Sequence, residues 1–182
     1  MTLQFTTSYM EDSIGLFRHY KALAESAVAQ VTDEQIYALL DEDANSIAIV
    51  MKHMAGNMKS RWTDLLTSDG EKPWRDRDSE FIAPQLTRTA LMENWEDGWD
   101  CLFRSLEALN ESDLGRTIKI RNEAHSVMQS INRQVAHYGY HCGQIVLLAK
   151  HFQHEVWKPL NIPKGKSAEF NAKVVSGEAS QR

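Results

Sequence analysis

Apolar residues recur at intervals of three and four along four long stretches of this chain, and that spacing suits helices rather than strands. Ser8-x-x-Glu11 is a capping signature ahead of Ile14, Phe17, Ala24, Val28 and Val31, which predicts a first helix. Thr32-x-x-Gln35 repeats the signature before a short helical piece ending near Leu40, and "DEDANS" then breaks the pattern. A second long helix takes Asn45 or Ser46 as its cap and carries Ile47, Met51, Met54, Met58, Trp62 and Leu65. The third runs from about Thr87 to Leu109 on Leu91, Trp95, Trp99, Leu102, Leu106 and Leu109. The fourth opens on Ser126-x-x-Gln129 and continues to about Phe152 through Ile131, Val135, Tyr138, Cys142, Ile145 and Ala149. Four amphipathic helices of this length predict an all-α four-helix bundle.

The connections bear on topology. Twenty residues, "TSDGEKPWRDRDSEFIAPQL", separate the second and third long helices, far more than antiparallel neighbours require. A helix of roughly 20 residues is about 30 Å long, which an extended linker of around ten residues can span. The expectation is a crossover that leaves these two helices parallel, with Trp74, Phe81 and Ile82 giving the loop something to bury; a surface excursion is the alternative. "RTIKIRNEAH" alternates weakly and reads as extended. Residues 1–175 are expected to form a single helical domain and residues 176–182 a flexible tail.

Composition narrows the function classes. A chain of 182 residues buries roughly 70% of its unfolded surface and needs no disulfides to fold. Its two cysteines, Cys101 and Cys142, suit a reducing compartment, and no basic leader or run of ~18 apolar residues is present, so a cytoplasmic protein away from membranes is expected. A formal net charge of -5 and a pI near 5.8 argue against a general nucleic-acid binder.

Within "NRQVAHYGYHCGQIV", His137 and His141 stand four positions apart, one above the other on a single helix face, close enough to share a metal ion. They sit at the margin of the apolar stripe, in line with Gln134, Gln144 and Leu148. Two imidazoles make a poor site, and His53 is the candidate third ligand. The first half of its helix is apolar nearly all round, which lets His53 face a second interior surface. Three neutral imidazoles from two facing helices suit a divalent transition ion such as Zn or Ni, with positions left for solvent or substrate. Partly exposed polar residues beside a core stripe would give the same pattern. His19, His125, His151 and His154 lack an interior partner, and Cys142, turned onto the stripe, reads as a small core residue.

Two long segments, "KHMAGNMKSRWTDLLTSDGEKPWRDRDSEF" and "INRQVAHYGYHCGQIVLLAK", with "IPKGKSAEFN" after them, resemble the DinB/YfiT-like superfamily of metalloenzymes, in a branch of uncharacterised function. The likeness runs from Thr7 to about Val174. It implies an up-down-down-up four-helix bundle, bound Ni or Zn on His53, His137 and His141, and often a homodimer. Similar proteins include thiol-dependent transferases and isomerases. The function expected is therefore activation of a small, low-molecular-weight thiol by the metal for transfer to an electrophilic small-molecule substrate. The alternatives are metal-dependent hydrolysis and a non-catalytic metal-binding or ligand-sensing bundle. Asn57 and Gln144, one turn beyond His53 and about one turn beyond His141, are placed to orient a ligand or to serve as ordinary boundary residues. Lys72, Arg75 and Arg77 beside Trp74 either grip the carboxylates of a small thiol or pair with Asp76 and Asp78.

Overall fold

A computed structural model describes residues 7–180, in which six α-helices and one two-stranded hairpin account for the regular structure. The start of the expected domain, residues 1–6, and the end of the expected tail, residues 181–182, lie outside the described residues. Helix α1 (Tyr9–Val28) begins with both arms of the Ser8 capping box in place: Glu11 N donates to Ser8 Oγ, and Ser8 N donates to the Glu11 carboxylate. Thr32 and Gln35 do the same for the short α2 (Asp33–Tyr37), as do Ser126 and Gln129 for α5 (Val127–Gln153). Ser46 caps α3 (Ile47–Trp62) and Thr87 caps α4 (Arg88–Glu107). The apolar spacing carries on past Trp62 to Leu65, yet α3 stops there. Thr63 turns extended, Asp64 takes a φ of 49°, and Leu65 is buried from a turn instead.

The weakly alternating segment is a hairpin, β1 (Thr117–Ile120) paired antiparallel with β2 (Glu123–Ser126). Its turn residues, Arg121 and Asn122, both have positive φ, and their N–H groups donate to the Asp69 carboxylate at 2.8 Å each. Periodicity did not reveal α6 (Ser167–Ser176). Gly177 closes it in the left-handed region at φ 80°.

Packing is concentrated on α3, thirteen of whose sixteen residues are buried. Phe17, Trp62, Trp95, Trp99 and Tyr138 form the aromatic centre, with Phe17 and Trp62 edge to face at 6.2 Å. Burying each such ring stabilises the fold by about 1.5–3 kcal/mol before entropy is counted. Lys59 meets Asn94 and Thr63 meets Cys101, so contacts advance in the same direction along α3 and α4. Against α5 the order reverses: His53 meets His141 and Asn57 meets Tyr138.

Of the apolar residues expected to anchor the long loop between α3 and α4, Phe81 packs on the His53 ring, 4.7 Å between centroids, and the others do not go inside. Trp74 and Ile82 are 60% and 66% exposed, whereas Glu80 and Lys72 are buried. Polar contacts fix it. Lys52 Nζ donates to the carbonyls of Ser79 and Ile82, and the loop's 3-10 turn, Asp78–Phe81, packs on α3. Among the described residues no helix is long and apolar enough to cross a membrane.

Candidate metal centre

An imidazole can face the interior of α3 because that helix is covered on more than one side, by α4 and by α5. His53 uses the face toward α5 and is 4% exposed; His141 on α5 is 9% exposed, with His137 one turn before it. The ligand atoms of the three lie within 4.8 Å of one another. His137 Nε2 is 3.0 Å from His141 Nε2 and 3.4 Å from His53 Nε2. Four-coordinate zinc, with bonds of about 2.0–2.1 Å, places neighbouring nitrogens roughly 3.3–3.4 Å apart, close to the two spacings that His137 makes.

The outward nitrogens explain why the inward ones are lone pairs. His53 Nδ1 lies 2.8 Å from Glu80 Oε2, and His141 Nδ1 lies 2.7 Å from Gln144 Oε1. Each oxygen accepts, so each Nδ1 carries the hydrogen and, in the neutral ring, leaves Nε2 bare. Burial, together with the neighbouring His141 and His53 and the arginines Arg61 and Arg75, pushes the His137 pKa down to about 3. Burial also lowers that of His141. His53 and His141 thus turn bare Nε2 atoms toward His137 Nε2, whose own Nδ1 is buried without a hydrogen-bond partner, and three imidazoles meeting in this way fit a divalent transition ion. Among the described residues, this is the one group of three His, Cys, Asp or Glu side chains placed to hold a metal.

Behind His53 stands a group that sequence spacing did not disclose. Glu80 receives Arg75 Nε on Oε1 at 2.7 Å and Arg75 Nη2 on Oε2 at 2.8 Å, a two-pronged pair whose side chains are 6% and 2% exposed. Burial opposes ionisation of Glu80, but the hydrogen bonds from His53 and Arg75 prevail and hold its pKa below the ordinary value. Gly56 allows the approach. A Cβ at that position would overlap the Glu80 carboxylate, which accounts for a glycine in mid-helix despite its cost of about 1 kcal/mol relative to Ala. In the sequence, Glu80 is one of several alternating charges and nothing local singles it out; the useful signal is that a ligating histidine needs an acceptor for its second nitrogen.

The other candidate positions divide. Gln144 contacts His141 directly. Asn57 touches no histidine through a hydrogen bond: its Oδ1 accepts from Tyr138 Oη at 2.9 Å, and Tyr138 Oη in turn accepts from Trp62 Nε1. With the oxygen so committed, only the Asn57 NH2 remains to serve a ligand in the adjoining pocket of about 560 Å³, which Asn57 lines. Of the loop charges, Arg75 and Arg77 line that pocket and Lys72 Nζ donates to the Asp69 carbonyl, while Trp74 beside them is exposed. Cys142 is fully buried, and burial pushes its thiol up to about 12, a core residue with little thiolate.

A family model described as "Protein of unknown function (DUF1572)" matches residues 4–166. Among solved structures, one described as the conserved protein of locus from Enterococcus faecalis superposes with a TM-score of 0.61 at 14% identity. The match covers 80% of this chain and 97% of that one, and is a likeness of fold. No curated protein matches the chain significantly.

Proposed function

The chain belongs to the DUF1572 family of proteins of unknown function, and we propose that it is a metal-dependent enzyme of the DinB/YfiT-like kind, activating a small thiol for transfer to an electrophilic substrate. The observation that carries this reading is the convergence of three Nε2 atoms from His53, His137 and His141 beside an open pocket. We read α1, α3, α4 and α5 as an up-down-down-up bundle, which the order of contacts along α3, α4 and α5 supports. A Ni or Zn ion on the three histidines would supply the Lewis acidity that keeps a thiol as its thiolate near neutral pH. The chain's own contribution is orientation: Glu80 and Gln144 fix the rings of His53 and His141, and Arg75 fixes Glu80. In such a transfer the thiol proton leaves to solvent when the thiolate forms; the thiolate electron pair then makes the sulfur–carbon bond as the bond from that carbon to its leaving group breaks, and the electron pair of the broken bond departs with the leaving group.

Cobalt substitution tests the reading. Adding 2-mercaptoethanol to the cobalt-loaded protein should produce a sulfur-to-metal charge-transfer band in the near ultraviolet, absent in His141→Ala. Ester turnover without such a band would assign a hydrolase. If neither appears across a panel of thiols, electrophiles and esters, while metal still raises the melting temperature, the ion stabilises or reports and the enzyme reading falls.

The assembly we expect is a homodimer. Three of the five tryptophans are spent in the core, but Tyr140 and Leu147 on α5 remain 64% and 65% exposed. Sedimentation should show a species of twice the 20.8 kDa chain mass; a monomer alone at high micromolar concentration would count against pairing.

A further inference from the structure

Among the described residues, the pocket beside the histidines is lined by five arginines, Arg61, Arg75, Arg77, Arg121 and Arg133, and by no carboxylate. Arg75 is committed to Glu80 and Glu71, and Arg121 to Glu71. Arg77 lies over the Phe81 ring, 5.4 Å from its centre. Arg61 stands apart from these. It is only 4% exposed, its Nε and Nη1 are buried without a hydrogen-bond partner, and it joins no ion pair among the described residues. Burial pulls its pKa down, yet a guanidinium keeps its charge in proteins. A buried cation with no counter-charge is a standing cost to the fold. Glu71, whose field reaches it, is already shared by Arg75 and Arg121.

The surroundings hold this guanidinium in place. A Cβ at Gly70 would come within 2.7 Å of Arg61 Nη1, so the glycine makes room for it. That part of the loop is tied down by Ser60 Oγ donating to the Gly70 carbonyl and by Gly70 N donating to the Lys119 carbonyl. His53, Asn57 and Arg61 follow one another at spacings of four on α3, a rise of about 12 Å that turns by only about 80°. All three line the pocket, so it extends from the histidines to the guanidinium. Gln134, 1% exposed and with Oε1 unpartnered, lines it from α5. A concave site of about 560 Å³ suits a metabolite rather than a polymer.

We infer that the pocket takes a small anionic substrate whose carboxylate or phosphate group is bound by Arg61, with its reacting end at the three histidines. The second half rests on the metal-centre reading; the anion site rests on Arg61 alone. A guanidinium is a charge-assisted donor to either oxyanion.

The test titrates the full chain at constant ionic strength with succinate, its neutral analogue succinamide, and inorganic phosphate, reading heat of binding and melting temperature. Succinate or phosphate should bind saturably and raise the melting temperature by several degrees, and succinamide should not; the tighter of the two anions names the source. Arg61→Met should weaken that anion at least tenfold and, with no anion present, melt at or above the wild type, since an apolar side chain replaces an unpaired charge. Arg61→Lys, which keeps the charge but not the fork, should fall between. His53→Ala should lose metal and keep the anion, which separates failure of this inference from failure of the metal centre. The inference is overturned if neither anion binds saturably to the wild type. It is equally overturned if Arg61→Met binds the anion as the wild type does, or if Arg61→Met and Arg61→Lys both melt far below it without anion.

Discussion

Replacing His53, His137 or His141 singly by Ala is expected to reduce bound divalent metal from about one ion per chain to a small fraction of that, because a two-imidazole remnant is a weak site. Elemental analysis after dialysis measures it. His151→Ala, outside the cluster, should leave metal content unchanged. Equal loss from His151→Ala, or full content in His53→Ala, would remove the centre from these residues. The pH dependence follows from the direction of the shifts. His137, pushed down to about 3, and His141, also lowered, stay neutral as pH falls through the ~6.5 at which a free histidine takes a proton. Proton competition at these two positions therefore starts at lower pH than in an exposed pair, and the midpoint for metal loss on acid dialysis should lie below about pH 6.5. Metal stripped through a midpoint near 6.5 would contradict the burial of these rings.

Glu80→Ala should be the most damaging single change to the loop. It leaves the buried Arg75 guanidinium with only Glu71 Oε2, at 3.4 Å, and His53 Nδ1 without its carboxylate acceptor, a combination that costs about 3–5 kcal/mol in comparable buried pairs. The melting temperature should fall by roughly 10 °C, and metal affinity by about 10–100-fold as the His53 ring loses its orientation. Glu80→Gln keeps an oxygen for His53 but not the charge, and should lie between the two. Calorimetry and metal titration of both variants decide the matter. Destabilisation with unchanged metal affinity would make Glu80 a clamp for the loop and nothing more.

The caps of α1, α2, α3 and α5 were legible because each is a bond between residues three apart, written where it acts. The pairing of His137 with His141 was legible for the same reason: one helical turn separates them. By contrast, α6 carries no side-chain cap and no buried residue, so its sequence held no pattern to detect. The crossover loop was expected to bury Trp74, Phe81 and Ile82; Phe81 does pack on the His53 ring, but Trp74 and Ile82 stay exposed while Glu80 goes inside.

Glu80 and Arg61 mark where the sequence runs out. Whether a charged side chain is paired or stranded depends on what other segments bring within about 4 Å of it, and those partners lie far along the chain or are missing. Glu80 reaches His53 across 27 positions, and Arg61 Nε and Nη1 meet no acceptor among the described residues. The sequence by itself determined the helices, their caps and which faces are apolar, since these follow from hydrogen bonds and periodicity over a few residues. His53 was already the sequence's candidate to join the pair on α5, and the structure brings it there; only the tertiary structure decided that Glu80 would hold its ring and that Arg61 would be buried with no ion-pair partner among the described residues, because burial and pairing are set by the approach of distant segments rather than by spacing along the chain.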